Sequence, residues 1–162
     1  MVTQKKNIEL HLSVERFFAD YSMCIDDNQL EEWPGFFLED GFYEIVSRSN
    51  LLRGLTANAM SCQGQAMMVD RVVSLREANV YAEQCYRHMV SALQIRPQES
   101  GEIEVTSNYL VVRTLQLSGD AEIFSVGQSR DLLVETKHGL KLRRRRVIPD
   151  NDRVHSLLAL PI

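Results

Sequence analysis

Three groupings in the sequence could do chemistry: a cysteine and histidine three residues apart, a scatter of acids and tyrosines, and a run of arginines. Cys85-Tyr86-Arg87-His88 is a C-x-x-H, the spacing of one half of a Rieske iron–sulfur site, where two Cys and two His on facing loops hold the cluster. The other half needs a C-x-H. Cys24 is followed by Ile25-Asp26 and Cys62 by Gln63-Gly64, so neither supplies it. A mononuclear iron triad asks for two His and a carboxylate converging on one site. His11, His88, His138 and His155 are instead dispersed over terminus, strand, turn and tail. The reading is that this chain binds no metal or cofactor and carries no catalytic residue of its own.

Acid–base chemistry would draw on Asp40, Asp70, Tyr43, Tyr86 and His88. The two aspartates and the histidine have plainer explanations. Asp40 sits in the turn Glu39-Asp40-Gly41, Asp70 beside Arg71 on a solvated helix face, and His88 in a core or interface that satisfies its ring nitrogens. A general base also needs reach to a substrate and a shifted pKa, which spacing does not establish. In the run Arg143-Arg144-Arg145-Arg146, strand alternation would place Arg144 and Arg146 with Leu140, Leu142 and Ile148, and Arg143 and Arg145 with Lys141 and Val147. At least one pair must then face inward or into an interface and needs carboxylates there. Asp131, Glu122 and Glu135 on the neighbouring strand are the expected mates. A nucleic-acid surface is disfavoured, because no aromatics interleave the run and the net charge is −4.

The elements that must position these residues divide at mid-chain. Across 162 residues the composition is 44% hydrophobic and 25% charged, which suits one globular domain over residues 1–162. Val14, Phe17, Phe18, Tyr21, Cys24 and Ile25 mark an amphipathic helix, with Ser13 as a candidate N-cap and Asp26-Asp27-Asn28 as its stop. Gln29 to Leu38 reads as a second short helix, and Phe42 to Val46 as a strand. Ser47 to Gln65 is irregular. A third helix runs from about Gln65 to Ala78. After it the period becomes two: Tyr86 to Ile95, Ile103 to Leu117, Ala121 to Val134 and Leu140 to Ile148 form an antiparallel meander with turns at Ser118-Gly119-Asp120 and Lys137-His138-Gly139. Helices first and a meander after them predict an α+β fold, a cone-like curved antiparallel sheet with N-terminal helices packed on it, as in the nuclear-transport-factor-like or cystatin-like folds. The three cysteines are odd in number and scattered, against a disulfide framework. No apolar run is long enough for a membrane span, and MVTQKKNIELHLSVERFF lacks the apolar region of a secretory signal, so a cytoplasmic protein is expected.

Taken in order, these residues resemble a known family. Asn28-Gln29-Leu30-Glu31-Glu32-Trp33 through Phe36-Phe37, Glu39-Asp40-Gly41 and Tyr43 is similar to the opening of the small (beta) subunits of bacterial aromatic-ring-hydroxylating dioxygenases. Asp70-Arg71-Val72, Leu75-Arg76, Tyr81 and Arg87-His88 resemble their R-V-x-x-L-R…Y…R-H segment. Ser107-Asn108-Tyr109-Leu110-Val111-Val112-Arg113-Thr114 resembles S-N-F-x-V-x-R-T, and Gly127 with Asp131-Leu132-Leu133 resembles G-x-x-x-D-x-L. Short strings, Leu75 to Tyr81 and Leu158 to Ile162, are most like the terephthalate dioxygenase and salicylate 5-hydroxylase branch. Cys85-Tyr86 stands where most relatives have Ser or Thr, and the arginine run replaces an aromatic of the last strand.

The resemblance implies a structural subunit of an oxidoreductase that hydroxylates an aromatic acid with O2 and electrons from NAD(P)H. The [2Fe-2S] Rieske cluster and mononuclear Fe(II) would lie in a large (alpha) subunit, in an α3β3 heterohexamer with the small subunits around a three-fold axis. A reductase, with or without a ferredoxin, would act only through the large subunit. Arg76, Tyr81, Arg87, His88, Arg113, Asp131 and Arg145 are the expected subunit-interface network. Two alternatives stay open: a stand-alone isomerase or dehydratase of the same cone using His88 and an aspartate, and a ligand-binding scaffold.

Overall fold

The computed structural model describes residues 2–55, 58–77, 84–150 and 160–162. Helix α1 (Val2–Asp26) leads into a 3-10 turn (Trp33–Phe36) and strand β1 (Phe37–Ile45). A short helix α2 (Arg48–Leu52), strand β2 (Met60–Gln63) and helix α3 (Gly64–Glu77) come next. Strands β3 (Gln84–Pro97), β4 (Glu102–Leu115), β5 (Ala121–Thr136) and β6 (Gly139–Pro149) complete the sheet.

Helix α1 begins well before the expected N-cap. Ser13 lies inside it and donates its hydroxyl to the Glu9 carbonyl at 2.9 Å, a bond that a mid-helix serine makes back to its own turn. The stop falls where expected. Asn28 takes φ 59°, Asn28 N–H bonds Ile25 O at 3.0 Å and Gln29 N–H bonds Cys24 O at 2.8 Å, the paired bonds of a Schellman motif. The expected second helix shrinks to one 3-10 turn, because Pro34 fits only at the start of a helix and Gly35 weakens any further turn. Phe37 then begins a strand five residues earlier than the alternation predicted. The segment read as irregular contains both α2, capped by Ser47 Oγ accepting from Asn50 N–H, and β2.

The sheet has six strands in the order β2-β1-β6-β5-β4-β3. The meander from β3 to β6 is antiparallel as expected, but β1 lies parallel to β6, so the sheet is mixed. Helix α1 packs toward β3, and α3 toward β1 and the 3-10 turn. Ile103, Val105, Ser107, Tyr109 and Val111 of β4 alternate inward, which is period-2 patterning on a half-buried strand.

Two bulges reset that alternation where it matters. Between Val111↔Ser125 and Val112↔Ile123, Phe124 is the extra residue, and both Phe124 and Ser125 are buried. Between Leu133↔Leu142 and Leu132↔Arg144, Arg143 is the extra residue. Leu142 and Arg145 therefore face inward together, although strict alternation would separate them. Of the arginine run, Arg145 alone enters the core, whereas a simple parity rule placed a pair there.

Gly127 of β5 is fixed by contact. A Cβ built on it would lie 2.9 Å from Pro149 Cα and overlap the Ile148 carbonyl oxygen on β6, and both obstacles are backbone. Gly127→Ala is expected to lower stability by about 1–3 kcal/mol through overpacking. Denaturant unfolding of the variant at wild-type midpoint would contradict this placement.

Candidate functional site

The interior of the cone holds a continuous polar chain inside an apolar cluster. Strand β6 delivers Arg145 and β5 delivers Asp131, which meet at 2.9 Å between Nη1 and Oδ2 with side chains 2% and 0% exposed. Ser129 donates to the same Asp131 Oδ2 at 2.9 Å and lies 2.8 Å from Ser107 Oγ on β4. Tyr109 and Ser125 pair at 3.0 Å. From the helix side, the Arg145 guanidinium sits 4.5 Å from the Tyr21 ring centre and 5.4 Å from that of Phe18, a geometry in which ring faces attract the cation. Trp33 Nε1 donates to the Tyr21 hydroxyl at 3.0 Å, and Trp33 meets Tyr43 edge-on at 5.2 Å.

The chain's own tail reaches this interior. Ile162 is 1% exposed. Its N–H donates to the Tyr43 hydroxyl at 2.8 Å. Its main-chain oxygen receives Arg145 Nε at 3.3 Å and the Tyr21 and Tyr43 hydroxyls at 3.4 Å each.

Protonation is set by burial. Burial pushes Tyr21 and Tyr109 up to about 12 and Tyr43 well above the usual phenol range, so these hydroxyls are hydrogen-bond donors at neutral pH and not bases. Burial works against the Arg145 charge, and the carboxylate beside it more than restores that charge. Burial likewise raises Asp131 to about 6, against the pull of Arg145 and Ser129, leaving an ion pair at neutral pH.

A second cluster ties the end of α1 to the sheet. His88 Nδ1 lies 2.6 Å from Asp26 Oδ1, with side chains 4% and 3% exposed, and His88 N–H donates to Asp26 Oδ2 at 2.9 Å. Arg87 Nη1 reaches the Asp26 carbonyl at 3.4 Å. Arg76 clamps the loop after α1: it donates to Glu31 Oε1 at 2.7 Å, Asn28 Oδ1 at 2.8 Å and the Asn28 carbonyl at 2.8 Å. That guanidinium holds the Glu31 carboxyl down to about 2. Arg113 bonds Glu122 and lies 5.1 Å over the Phe124 ring. Of the expected interface network, Arg76, Arg87, His88, Arg113, Asp131 and Arg145 thus all have partners within the chain, and Tyr81 lies outside the described residues. Of the mates expected for the arginine run, Asp131 takes Arg145, whereas Glu122 takes Arg113. Arg143 instead meets Glu102 at 2.9 Å and Arg146 meets Glu44 at 2.5 Å.

The acid–base set does not assemble. Asp40 and Asp70 are exposed, Asp70 lining an open cleft between β2 and α3 with Arg71 and Ser74, while the aspartate beside His88 is Asp26. Nor do Cys85 and His88 form half of a cluster site. Three residues apart on a strand, they face opposite sides: Cys85 is exposed and His88 is turned to Asp26. Among the described residues no group of three His, Cys, Asp or Glu is placed to hold a metal ion. Asp26 was legible only as a stop signal. Acids at a helix C-terminus oppose its dipole, and that mismatch marks one that needs a partner elsewhere.

A curved mixed sheet wrapped on helices over an aromatic interior is the nuclear-transport-factor-like cone. Residues 22–156 match the ring hydroxylating beta subunit family model. The chain is 46% identical over 138 residues to the anthranilate 1,2-dioxygenase small subunit of Burkholderia cepacia, covering 85% of each. It is 29% identical to terephthalate 1,2-dioxygenase terminal oxygenase component subunit beta 1 of Comamonas sp., covering 93% of this chain and 97% of that one. The crystal structure of a beta subunit assigned to an aromatic-ring-hydroxylating dioxygenase of Novosphingobium aromaticivorans superposes with a TM-score of 0.87 over 100% of both chains, at 32% identity. The chain belongs to the ring-hydroxylating beta-subunit family, the small subunits of aromatic-ring-hydroxylating dioxygenases.

Proposed function

We propose that this small subunit, one domain over residues 1–162, is structural and carries no catalytic group. In this reading it holds catalytic large subunits in an α3β3 assembly in the cytoplasm. The Rieske cluster and mononuclear iron reside in the large subunit and supply oxygen activation there. NAD(P)H electrons arrive through a reductase acting on that subunit. The names of the two oxygenase relatives, anthranilate and terephthalate, favour an aromatic carboxylic acid as substrate.

The observation that supports a structural role is the occupied cone. Trp33, Tyr21, Tyr43, Arg145 and Ile162 fill the space under the sheet, linked through hydrogen bonds of Tyr21 and Ile162, where a catalytic pocket would need convergent groups free to meet a substrate. A dehydratase using His88 is not favoured, since Asp40 and Asp70, the aspartates it would pair with, are exposed and away from it, and its Nε2 is buried within the fold. The buried members of the expected interface network would act by setting the wall geometry, and among the described residues the exposed Arg76 and Arg87 are placed to meet a partner directly.

The test separates the chains of the purified oxygenase and measures iron and turnover of an aromatic acid for each. Iron confined to the large subunit, with no turnover by this chain alone, is the expected result. Iron or turnover in this chain by itself would overturn the structural reading.

A further inference from the structure

We infer that the outer edge of β2, with the side of α3 that faces it, receives an extended segment of the catalytic large subunit as an added strand. The inference rests on the subunit role proposed above. Strand β2 ends the sheet, and the hydrogen bonds around it show which main-chain groups face outward. Val46 N–H bonds Val147 O on β6 at 3.0 Å, and Ala59 N–H bonds Ile45 O at 2.8 Å. Main-chain groups of successive strand residues point to opposite edges, so Tyr43 and Ile45 face β2 while Glu44 faces β6. In the register Tyr43↔Cys62, Glu44↔Ser61 and Ile45↔Met60, Met60 and Cys62 then bond β1. The N–H and C=O of Ser61 and Gln63 point away from it. In agreement, Gln63 N–H meets Met67 Sδ on α3 at 3.3 Å. Ser61 is exposed, and among the described residues no strand pairs with this edge.

The edge opens into a cleft of about 310 Å³ walled by α3. Four successive residues, 59–62, line it. Side chains of successive strand residues go to opposite faces, so the cleft runs along the backbone edge and not over a face of the sheet. Opposite stand Met67, Asp70, Arg71 and Ser74, whose i, i+3, i+4 and i+7 spacing makes one face of a helix, while Met68, Val72 and Leu75 turn to the core. A groove between an edge strand and a helix takes an extended peptide, which adds main-chain bonds and seats alternate side chains. Outward N–H and C=O groups in a row are matched by another backbone. Buried Met60 and half-exposed Met67 line a seat that adapts to one apolar side chain. Asp70 and Arg71 set one charge of each sign on the wall, so the incoming segment is selected by its extended backbone and apolar side chain and not by net charge. A second copy fits poorly, because its own β2 is walled by its own α3 and pairing the edges would bring the two helices into collision.

Ser61→Pro separates the two edges of β2. It removes the outward N–H and leaves the bonds to β1 in place, and an edge strand accepts proline where its N–H faces solvent. Met67→Asp charges the seat without touching the backbone. Wild type and both variants are titrated with a large subunit that carries C-x-H and C-x-x-H motifs. Each variant should keep the wild-type circular dichroism and bind at least about tenfold more weakly, through the lost main-chain bond or apolar contact. In the wild-type complex the Ser61 amide should exchange at least about tenfold more slowly than in the free chain. Wild-type affinity in a folded Ser61→Pro chain, or a Ser61 amide that exchanges equally in the free and assembled wild type, overturns the inference and leaves the subunit role standing. A wild-type chain that does not bind the large subunit overturns both. Slowing of Ser61 exchange in the free chain as its concentration rises puts a second copy on the edge and overturns the inference alone. Should Ser61→Pro not fold, Met67→Asp affinity and wild-type exchange decide by the same readings.

Discussion

Replacing Asp131 with alanine should destabilise the protein by about 3–5 kcal/mol, because it strands a buried guanidinium without its counter-charge. Arg145 is 2% exposed and Asp131 is the carboxylate that meets it. The stacking on Tyr21 and Phe18 offsets only a fraction of that loss, about 2 kcal/mol at most for a desolvated cation over a ring. The reverse change is expected to be milder. In Arg145→Met the stranded group is a carboxyl whose pKa burial already lifts to about 6, and it can take a proton, whereas arginine cannot shed one. The double variant Asp131→Leu with Arg145→Met should recover most of the loss, since an apolar pair of similar volume removes both desolvation costs. Guanidinium unfolding of Asp131→Leu, Arg145→Met and their double variant forms a cycle that checks this order, with Asp131→Ala measured beside it. Equal losses for the two single variants, or simple additivity in the double, would contradict the pairing.

Trp33→Ala should cost a comparable amount, about 3–5 kcal/mol. The indole is fully buried at the joint between α1 and β1. It meets Phe37 at 5.7 Å and Tyr43 at 5.2 Å in edge contacts, and its Nε1 donates to Tyr21. Removing it opens a cavity and takes from the Tyr21 hydroxyl its donor, at the point where that hydroxyl reaches Ile162. Trp33→Phe keeps most of the volume and should lose about 1–2 kcal/mol, the share of the hydrogen bond and its desolvation. Thermal unfolding separates the two variants. A phenylalanine variant as unstable as the alanine one would mean that the hydrogen bond outweighs packing here.

How much of this protein was legible in its sequence depended on range. The apolar stripe of α1, the stop at Asn28 and the long alternating strands are local signals; the stop and the strands land within a few residues of the observed elements, whereas α1 starts well before Ser13. The mixed character of the sheet was not legible, because the parallel pairing of β1 with β6 joins segments about a hundred residues apart, and no local pattern encodes it. The fate of the arginine run failed for a smaller reason: one bulge residue, Arg143, shifts the parity of everything after it. Asp131 as the mate of Arg145 was readable from cross-strand pairing, and the structure has that pair in register. Asp26 as the mate of His88 was not, since the two meet across a helix–sheet packing that sequence spacing does not describe. The resemblance to the dioxygenase small subunits, carried by motifs in order along most of the chain, gave the family directly. Physical reading of those motifs now shows several at work within the fold: Gly127 clears the Ile148 carbonyl, Arg76 clamps the turn after α1, and Asp131 neutralises Arg145.

The most direct test of the subunit role is the solution mass of this chain co-expressed with a large subunit that carries C-x-H and C-x-x-H motifs. One complex of the two chains in equal numbers, with the mass of a heterohexamer, is the predicted result. A chain that stays free of the large subunit under those conditions would contradict the role assigned to it.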